Sequence, residues 1–273
     1  MNNEQQHQKD LERIKNFRLM DDDFMNACFD GNIEATELIL RIILNRQDIN
    51  VTQVTTQKVM KNLMGRDIWL DILAKDNKNE TLNVEVQRSD KGADRRRARY
   101  HSSILDAHLL KPSEDFDKLP ETYVIFITES DVIGKNQPIY KIDRYIDGID
   151  LFNDGEHIIY VNGEIRGSET ELKKLMHDFF CTNPDDMYYE ELAKKVRYFK
   201  EEEEGVKSMC RALEEMRDEV AREVAREVAK ETEWKIKVET IHRMLVKSLS
   251  IEDIAESVDL TIEQVKEIAS QSA

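Results

Sequence analysis

Residues 65–87 read GRDIWLDILAKDNKNETLNVEVQ, two apolar runs on either side of a polar knot, Asp76-Asn77-Lys78-Asn79. Side chains alternate faces along a strand, so Ile68, Leu70, Ile72 and Ala74 share one side and Trp69, Asp71 and Leu73 the other. In the second run Leu82, Val84 and Val86 line up opposite Asn83, Glu85 and Gln87. Asn and Asp tolerate the left-handed backbone and bond their own main chain, which makes the knot a turn and the whole stretch a hairpin. If the register allows, Asp71 comes beside Glu85. Two carboxylates that close repel unless a cation lies between them, and hard oxygen ligands on a rigid sheet suit Mg²⁺. Polar alternation is common in hairpins, so spacing alone favours Asp71, Glu85 and Gln87 as the solvated face of a half-exposed sheet.

Working outward, two helical pieces split at Asp30-Gly31-Asn32 precede the hairpin over 22–46, and Val51–Thr56 reads as a short first strand. In the second helical piece Glu34 and Glu37 point away from an apolar stripe, as solvated acids do. After Gln87 a turn leads into a helix over 93–110. Between Arg88 and Lys111 lie seven basic residues (Arg88, Lys91, Arg95, Arg96, Arg97, Arg99, Lys111) against three acidic ones (Asp90, Asp94, Asp106), in a chain of net charge −16. Such an island beside a carboxylate pair suits a phosphate backbone, since neutralising phosphates releases counterions. Equally, three consecutive arginines on a helix point in different directions, so some are solvated or pair with the abundant acids. Thr122–Thr128, TYVIFIT, has the continuous β-branched and aromatic character of a strand covered on both faces. The order is helix, three strands, helix, strand.

Asp71, a hairpin turn and Glu85-Val86-Gln87 resemble the PD-(D/E)XK nuclease motif in the variant ending in Gln. The wider series GRDIWLDILAKD, NVEVQRSD, ADRRRARYHSSILDAHLL, YVIFITESD, LFNDGEHIIYVNGE and MHDFFCTNPDDMYYEELAKKVRYFKE resembles the Rpn family of recombination-promoting nucleases, also described as PD-(D/E)XK nuclease family transposases. The likeness runs over roughly residues 20–215. It implies an α/β fold with a restriction-endonuclease-like αβββαβ core, the order that periodicity gives independently. It also implies a metal-dependent DNA endonuclease acting in recombination or DNA mobilisation. Asp71, Glu85 and the Val86 carbonyl would hold Mg²⁺, or Mn²⁺ in its place, and Gln87 would orient the attacking water. DNA would meet Lys91, Arg95, Arg96, Arg97 and Arg99. A first-helix acid sometimes joins the metal site in this superfamily, which makes Glu34 and Glu37 the residues to inspect.

The remaining composition bounds the setting. At 273 residues, 40% hydrophobic and 35% charged, the chain suffices for one sizeable α/β domain with an appendage. No apolar run reaches membrane-spanning length and the N-terminus is polar, which points away from a span or a signal peptide. Cys28, Cys181 and Cys210 lie far apart and leave one unpaired under any scheme, as expected of a reduced cytoplasmic protein. His101, His108, His157 and His177 lack ligand spacing such as HExxH, and His101 and His108, on the basic helix, read as surface histidines.

From Glu169 the pattern is helical, with helices over 170–180 and 188–204 and a hinge near Gly205. VAREVAREVAKE, residues 220–231, repeats a four-residue unit that stacks charges beside a narrow Val/Ala stripe, a candidate homo-oligomer contact. The last stretch resembles a helix-turn-helix, with Ser250/Asp253 and Thr261/Gln264 at capping-box spacing. Between Leu249 and Ala273 six acids face one base, a balance suited to a protein contact and not to phosphates. The expected division is a flexible N-terminus over 1–20, a nuclease core over 21–168, a helical extension over 169–248 and the helix-turn-helix-like end over 249–273. A rival reading is a non-cleaving factor that keeps the fold and binds protein partners through its acidic helices. An RNA substrate is open on the same chemistry.

Overall fold

The strand Thr122–Thr128 (β4) is buried along its whole length, as a run of β-branched and aromatic side chains covered on both faces must be. In this computed structural model, which describes residues 3–62, 65–88 and 90–270, β4 lies near the middle of a six-stranded mixed sheet. Three strands, β1 (Val51–Met60), β2 (Ile68–Asp76) and β3 (Thr81–Gln87), form an antiparallel meander. Helix α4 (Arg95–Leu109) then carries the chain across to β4, which runs parallel to β3. The strand β8 (Glu156–Asn162) adds parallel to β4, and β5 (Ile139–Ile142) closes the edge antiparallel to β8. The sheet order is therefore β1-β2-β3-β4-β8-β5, and two short strands, β6 (Tyr145–Ile146) and β7 (Asp150–Leu151), pair separately.

The hairpin turn is built as its residues dictate. Asp76 Oδ1 accepts from the main-chain amides of Lys78 and Glu80, both at 2.9 Å, and Asn79 takes a left-handed φ of 67°. The resulting register pairs Ile72 with Val84 and Ala74 with Leu82. Helix α4 covers one part of the sheet, packing Ala98, Ile104 and Leu105 with Val124, Phe126 and Tyr160. Helices α2 (Asp22–Phe29), α3 (Ile33–Leu44), α5 (Glu171–Phe180) and α6 (Glu190–Glu201) pack among themselves, with Phe24, Phe29, Ile39 and Phe179 fully buried.

The structure differs from expectation at three places. Residues 3–16 form helix α1 (Asn3–Asn16), and Ile14, Phe17, Leu19 and Met20 are buried, so this end is part of the core. Its anchor is Lys200 on α6, whose ammonium donates to the carbonyls of Lys15 at 2.9 Å, Phe17 at 2.6 Å and Thr182. The helix expected over 188–204 ends at Glu201, and after Glu202 the 44-residue helix α7 (Glu203–Val246) begins. Gly205 permits that break, because a Cβ there would lie 2.0 Å from the Tyr198 carbonyl oxygen. The chain also divides elsewhere than expected, into units Met1–Cys210 and Arg211–Ala273.

In the second unit, α8 (Ile251–Val258) and α9 (Ile262–Ser270) bury Ile254, Ala255, Val258, Val265 and Ile268 with Ile241 of α7. Both caps form. Ser250 Oγ accepts from the Asp253 amide at 3.1 Å, and Thr261 and Gln264 bond reciprocally at 2.9 and 3.2 Å.

Candidate active site

The site lies at the open end of the β2–β3 hairpin, beside the carboxyl end of the parallel pair β3 and β4. The β2–β3 ladder stops at Ile72 and Val84, and continuing the same register sets Asp71 across from Glu85. Beyond that point the strands part, and the Asp71 side chain fills the notch. Its Oδ2 accepts from the main-chain amide of Val86 at 2.9 Å. In a strand the N–H and C=O of one residue point to the same edge, so the Val86 carbonyl also faces this notch. Gln87, the next residue, turns the other way and receives the Glu129 amide at its carbonyl, 3.0 Å away.

Glu85 is completely buried. Asn83 Nδ2 donates to its Oε1 at 2.9 Å, and Arg97 Nη2 donates to its Oε2 at 3.4 Å. His101 Nδ1 stands 3.5 Å from Oε1 without a hydrogen bond of its own, while Arg97 Nε donates to His101 Nε2 at 3.3 Å. A buried carboxylate so sparsely paired is costly unless further positive charge reaches it. Asp71 feels the same deficit. Burial first, and then the facing Glu85 charge, push its carboxyl up to about 8, against the lowering effect of the Val86 amide. Burial and neighbouring acids also raise Asp22, the first residue of α2, whose charge is among those acting on Asp71. A divalent cation placed among these acids would relieve the repulsion that bears on Asp71. The donors present, three carboxyl groups and a main-chain carbonyl, are the hard oxygens that Mg²⁺ or Mn²⁺ accepts.

Gln87 is half-buried, and its carboxamide lies over Gly92 in the 3-10 turn Asp90–Ala93. A Cβ at Gly92 would fall 1.9 Å from Gln87 Oε1. Of the expected phosphate-binding residues, Arg97 turns inward to Glu85, whereas Arg95, Arg96 and Arg99 are exposed with no acidic partner among the described residues. The Lys91 side chain lies outside the described ones. The structure corrects the reading of His101 as a surface residue, since it is 4% exposed and its ring centre lies 6.1 Å from that of Phe126. A single histidine carries no periodic signal, and only the seating of α4 brings it to Glu85. Glu37 is likewise spoken for, by Arg41 at 2.7 Å and the Val51 amide at 2.9 Å. The helix acid near the site is Asp22, which no spacing in the sequence singles out.

A second cluster, His177, Asp178 and Cys181, has ligand atoms within 4.8 Å of one another. Both Asp178 oxygens are taken by the amides of Tyr188 and Tyr189 at 2.9–3.0 Å. Burial, with the nearby acids, raises the Cys181 thiol to about 11. Asp178 is a structural cap for α6.

Compared with known families, residues 30–240 match the PD-(D/E)XK nuclease family transposase. The chain belongs to that family. No curated protein and no solved structure matches it individually. Membership places this PD-(D/E)XK chain among nuclease-type proteins, and the matched span takes in Asp71, Glu85 and Gln87 but leaves out Asp22. Among its described residues no helix is long and apolar enough to cross a membrane.

Proposed function

We propose that this PD-(D/E)XK protein is a metal-dependent DNA endonuclease acting in recombination or DNA mobilisation in the cytoplasm. The observation that carries the reading is the notch between β2 and β3, where Asp71, Glu85 and the Val86 carbonyl converge with Asp22 nearby. These groups would hold Mg²⁺, with Mn²⁺ as a substitute. When bound, the ion supplies a water of lowered pKa and offsets charge gathering on the phosphodiester. The chain's own residues do the rest. The Val86 amide fixes the rotamer of Asp71. The Gln87 carboxamide, braced by Gly92, accepts a hydrogen bond from the attacking water and turns its lone pair toward phosphorus. Gln87 is neutral and carries no charge to the transition state, so the cationic contribution falls to Arg97. Arg95, Arg96 and Arg99, with Lys91, hold the DNA backbone.

The experiment is plasmid nicking at low salt by the full chain and by Asp71→Ala, with Mg²⁺, Mn²⁺ or EDTA. Nicking that needs a divalent ion and disappears in Asp71→Ala supports the reading. A folded wild-type chain that never nicks, or a variant that still does, would favour a non-cleaving interaction factor.

The same protein is proposed to pair with a second copy through α7. Val220, Val224 and Val228 are each more than half exposed and adjoin Ala221, Ala225 and Ala229. A glutamate ladder (219, 223, 227, 231) borders the valine side and a basic ladder (222, 226, 230) the alanine side. In a parallel pair each acidic border meets the partner's basic border, whereas an antiparallel pair sets like against like. The occupant that fits is therefore a second copy in parallel.

A further inference from the structure

Next to the carboxylates, between β2 and the first turns of α4, runs a groove of about 630 Å³ whose walls include Arg66, Trp69, Arg96, Arg97, Tyr100 and His101. It opens onto the active site, because Arg97 and His101 are the residues that reach Glu85. Trp69 is 53% exposed, although it sits on an otherwise well-covered strand. Being two residues from Asp71, it projects from the same face of β2, about 6.6 Å along the strand. The wall opposite is held in place. The Tyr100 hydroxyl donates to the Arg66 carbonyl at 2.6 Å and accepts from Asn62 Nδ2 at 2.9 Å, tying α4 to the chain that enters β2.

Charge in the groove is one-sided. Among the described residues of its walls Asp67 is the only acid, and it is neutralised by Lys61 at 2.9 Å and by the Asn62 amide. Arg66 and Arg96 are exposed and have no acidic partner among the described residues. In a chain of net charge −16, two arginines left unneutralised beside an exposed indole are unusual company. Guanidinium groups suit phosphate oxygens, and an indole face suits any nucleobase, but only a base freed from its stack can lie on it. Duplex DNA keeps its bases stacked and would present the groove with backbone alone.

We infer that Trp69 is a stacking platform for an unpaired base, flanked by Arg66 and Arg96 on the adjoining phosphates, so that the enzyme prefers single-stranded or locally opened DNA. The strand distance from Trp69 to Asp71 corresponds to about two base-stack rises of 3.4 Å. The stacked base is thus one or two nucleotides from the phosphate at the carboxylates. This inference rests on the nuclease reading for its biological sense, and its test is independent of cleavage.

The test is equilibrium binding in EDTA, using full-length protein, a 15-nucleotide oligo(dT) and a duplex of the same length. Replacing Trp234 by Phe leaves Trp69 as the sole tryptophan, since the chain has two. Oligo(dT) should quench its fluorescence and the duplex should not. Trp69→Ala should weaken oligo(dT) binding about tenfold with duplex binding unchanged, and Trp69→Phe should keep most of the affinity. Arg66→Ala and Arg96→Ala should each lower the salt slope by about one for both forms. Equal losses for the two forms in Trp69→Ala, or no quenching by oligo(dT), would overturn the inference. Binding that behaves as expected in a chain that never cleaves would instead leave the platform standing and refute the nuclease reading.

Discussion

Asp71 and Val86 are joined across a parted pair of strands: the Asp71 carboxylate takes the Val86 amide at 2.9 Å where a main-chain partner would otherwise be. The bond does two things at once. It satisfies an amide stranded by the end of the ladder, and it aims a carboxylate at the Val86 carbonyl and Glu85. Hairpin geometry and site geometry are therefore one feature, and a change to either should register in the other.

Metal-free stability should fall as pH rises through the neutral range. Asp71 has a folded pKa of about 8 against an ordinary value of 3.8. Its protonated form is thus favoured by folding, giving stability that is full below about pH 4 and lost as pH climbs toward 8. Thermal unfolding in EDTA across that window should show the decline, and Asp71→Asn should flatten it. Millimolar Mg²⁺ should restore stability at pH 8 in the wild type and do little in the variant.

Arg97 and Arg96, adjacent in sequence, should behave differently. Arg97→Ala removes the guanidinium that reaches buried Glu85 and should destabilise the fold by about 1–3 kcal/mol. Arg96→Ala removes an exposed side chain with no acidic partner among the described residues and should change stability by less than about 0.5 kcal/mol while weakening DNA binding. Urea denaturation of the two variants separates a site residue from a docking residue.

Gly92→Ala should displace the Gln87 carboxamide, because the new methyl needs the space that Gln87 Oε1 occupies. Nicking should slow about as much as in Gln87→Ala, and the double variant should be no worse than either single one. Additive losses would show that Gly92 acts elsewhere.

The Val220/Val224/Val228 stripe should control assembly. Val224→Glu puts a charge into the centre of the proposed parallel seam, and sedimentation at micromolar concentration should give a lighter species than the wild type. A wild-type chain already monomeric at that concentration would exclude the seam. Nicking per active site should not depend on this change if each copy carries a whole site.

Much of this arrangement is legible in the amino-acid sequence. Alternation alone sets Asp71 apart from Ile68, Leu70 and Ile72 and aligns Glu85 with Gln87, and the turn chemistry of 76–79 makes their meeting a matter of register. The buried run of β4 likewise announces itself by composition. Contacts made by tertiary seating are not legible in this way. His101 reaches Glu85 because α4 settles on the sheet at one rotation, and no spacing rule encodes that rotation. Asp22 comes near Asp71 across the packing of α2. The helix α1 is obscured by its polar surface residues, and the apolar side chains that anchor this end are Ile14 within it and Phe17, Leu19 and Met20 just beyond its last turn. Trp69 reads as one more strand aromatic, because solvent exposure is a property of neighbours and not of a residue.

The anchorage of α1 by Lys200 bears on how the protein is made. The ammonium closes onto carbonyls of Lys15 and Phe17, so a helix synthesised early waits for almost the last segment of its unit before it is locked. The segment carrying Asp22 follows directly on that helix. A nascent chain emerging with Asp71 and Glu85 already synthesised still lacks its final clamp, and a truncated translation product ending before residue 200 would lack it permanently. Locking of this early helix is thereby deferred until translation has passed residue 200.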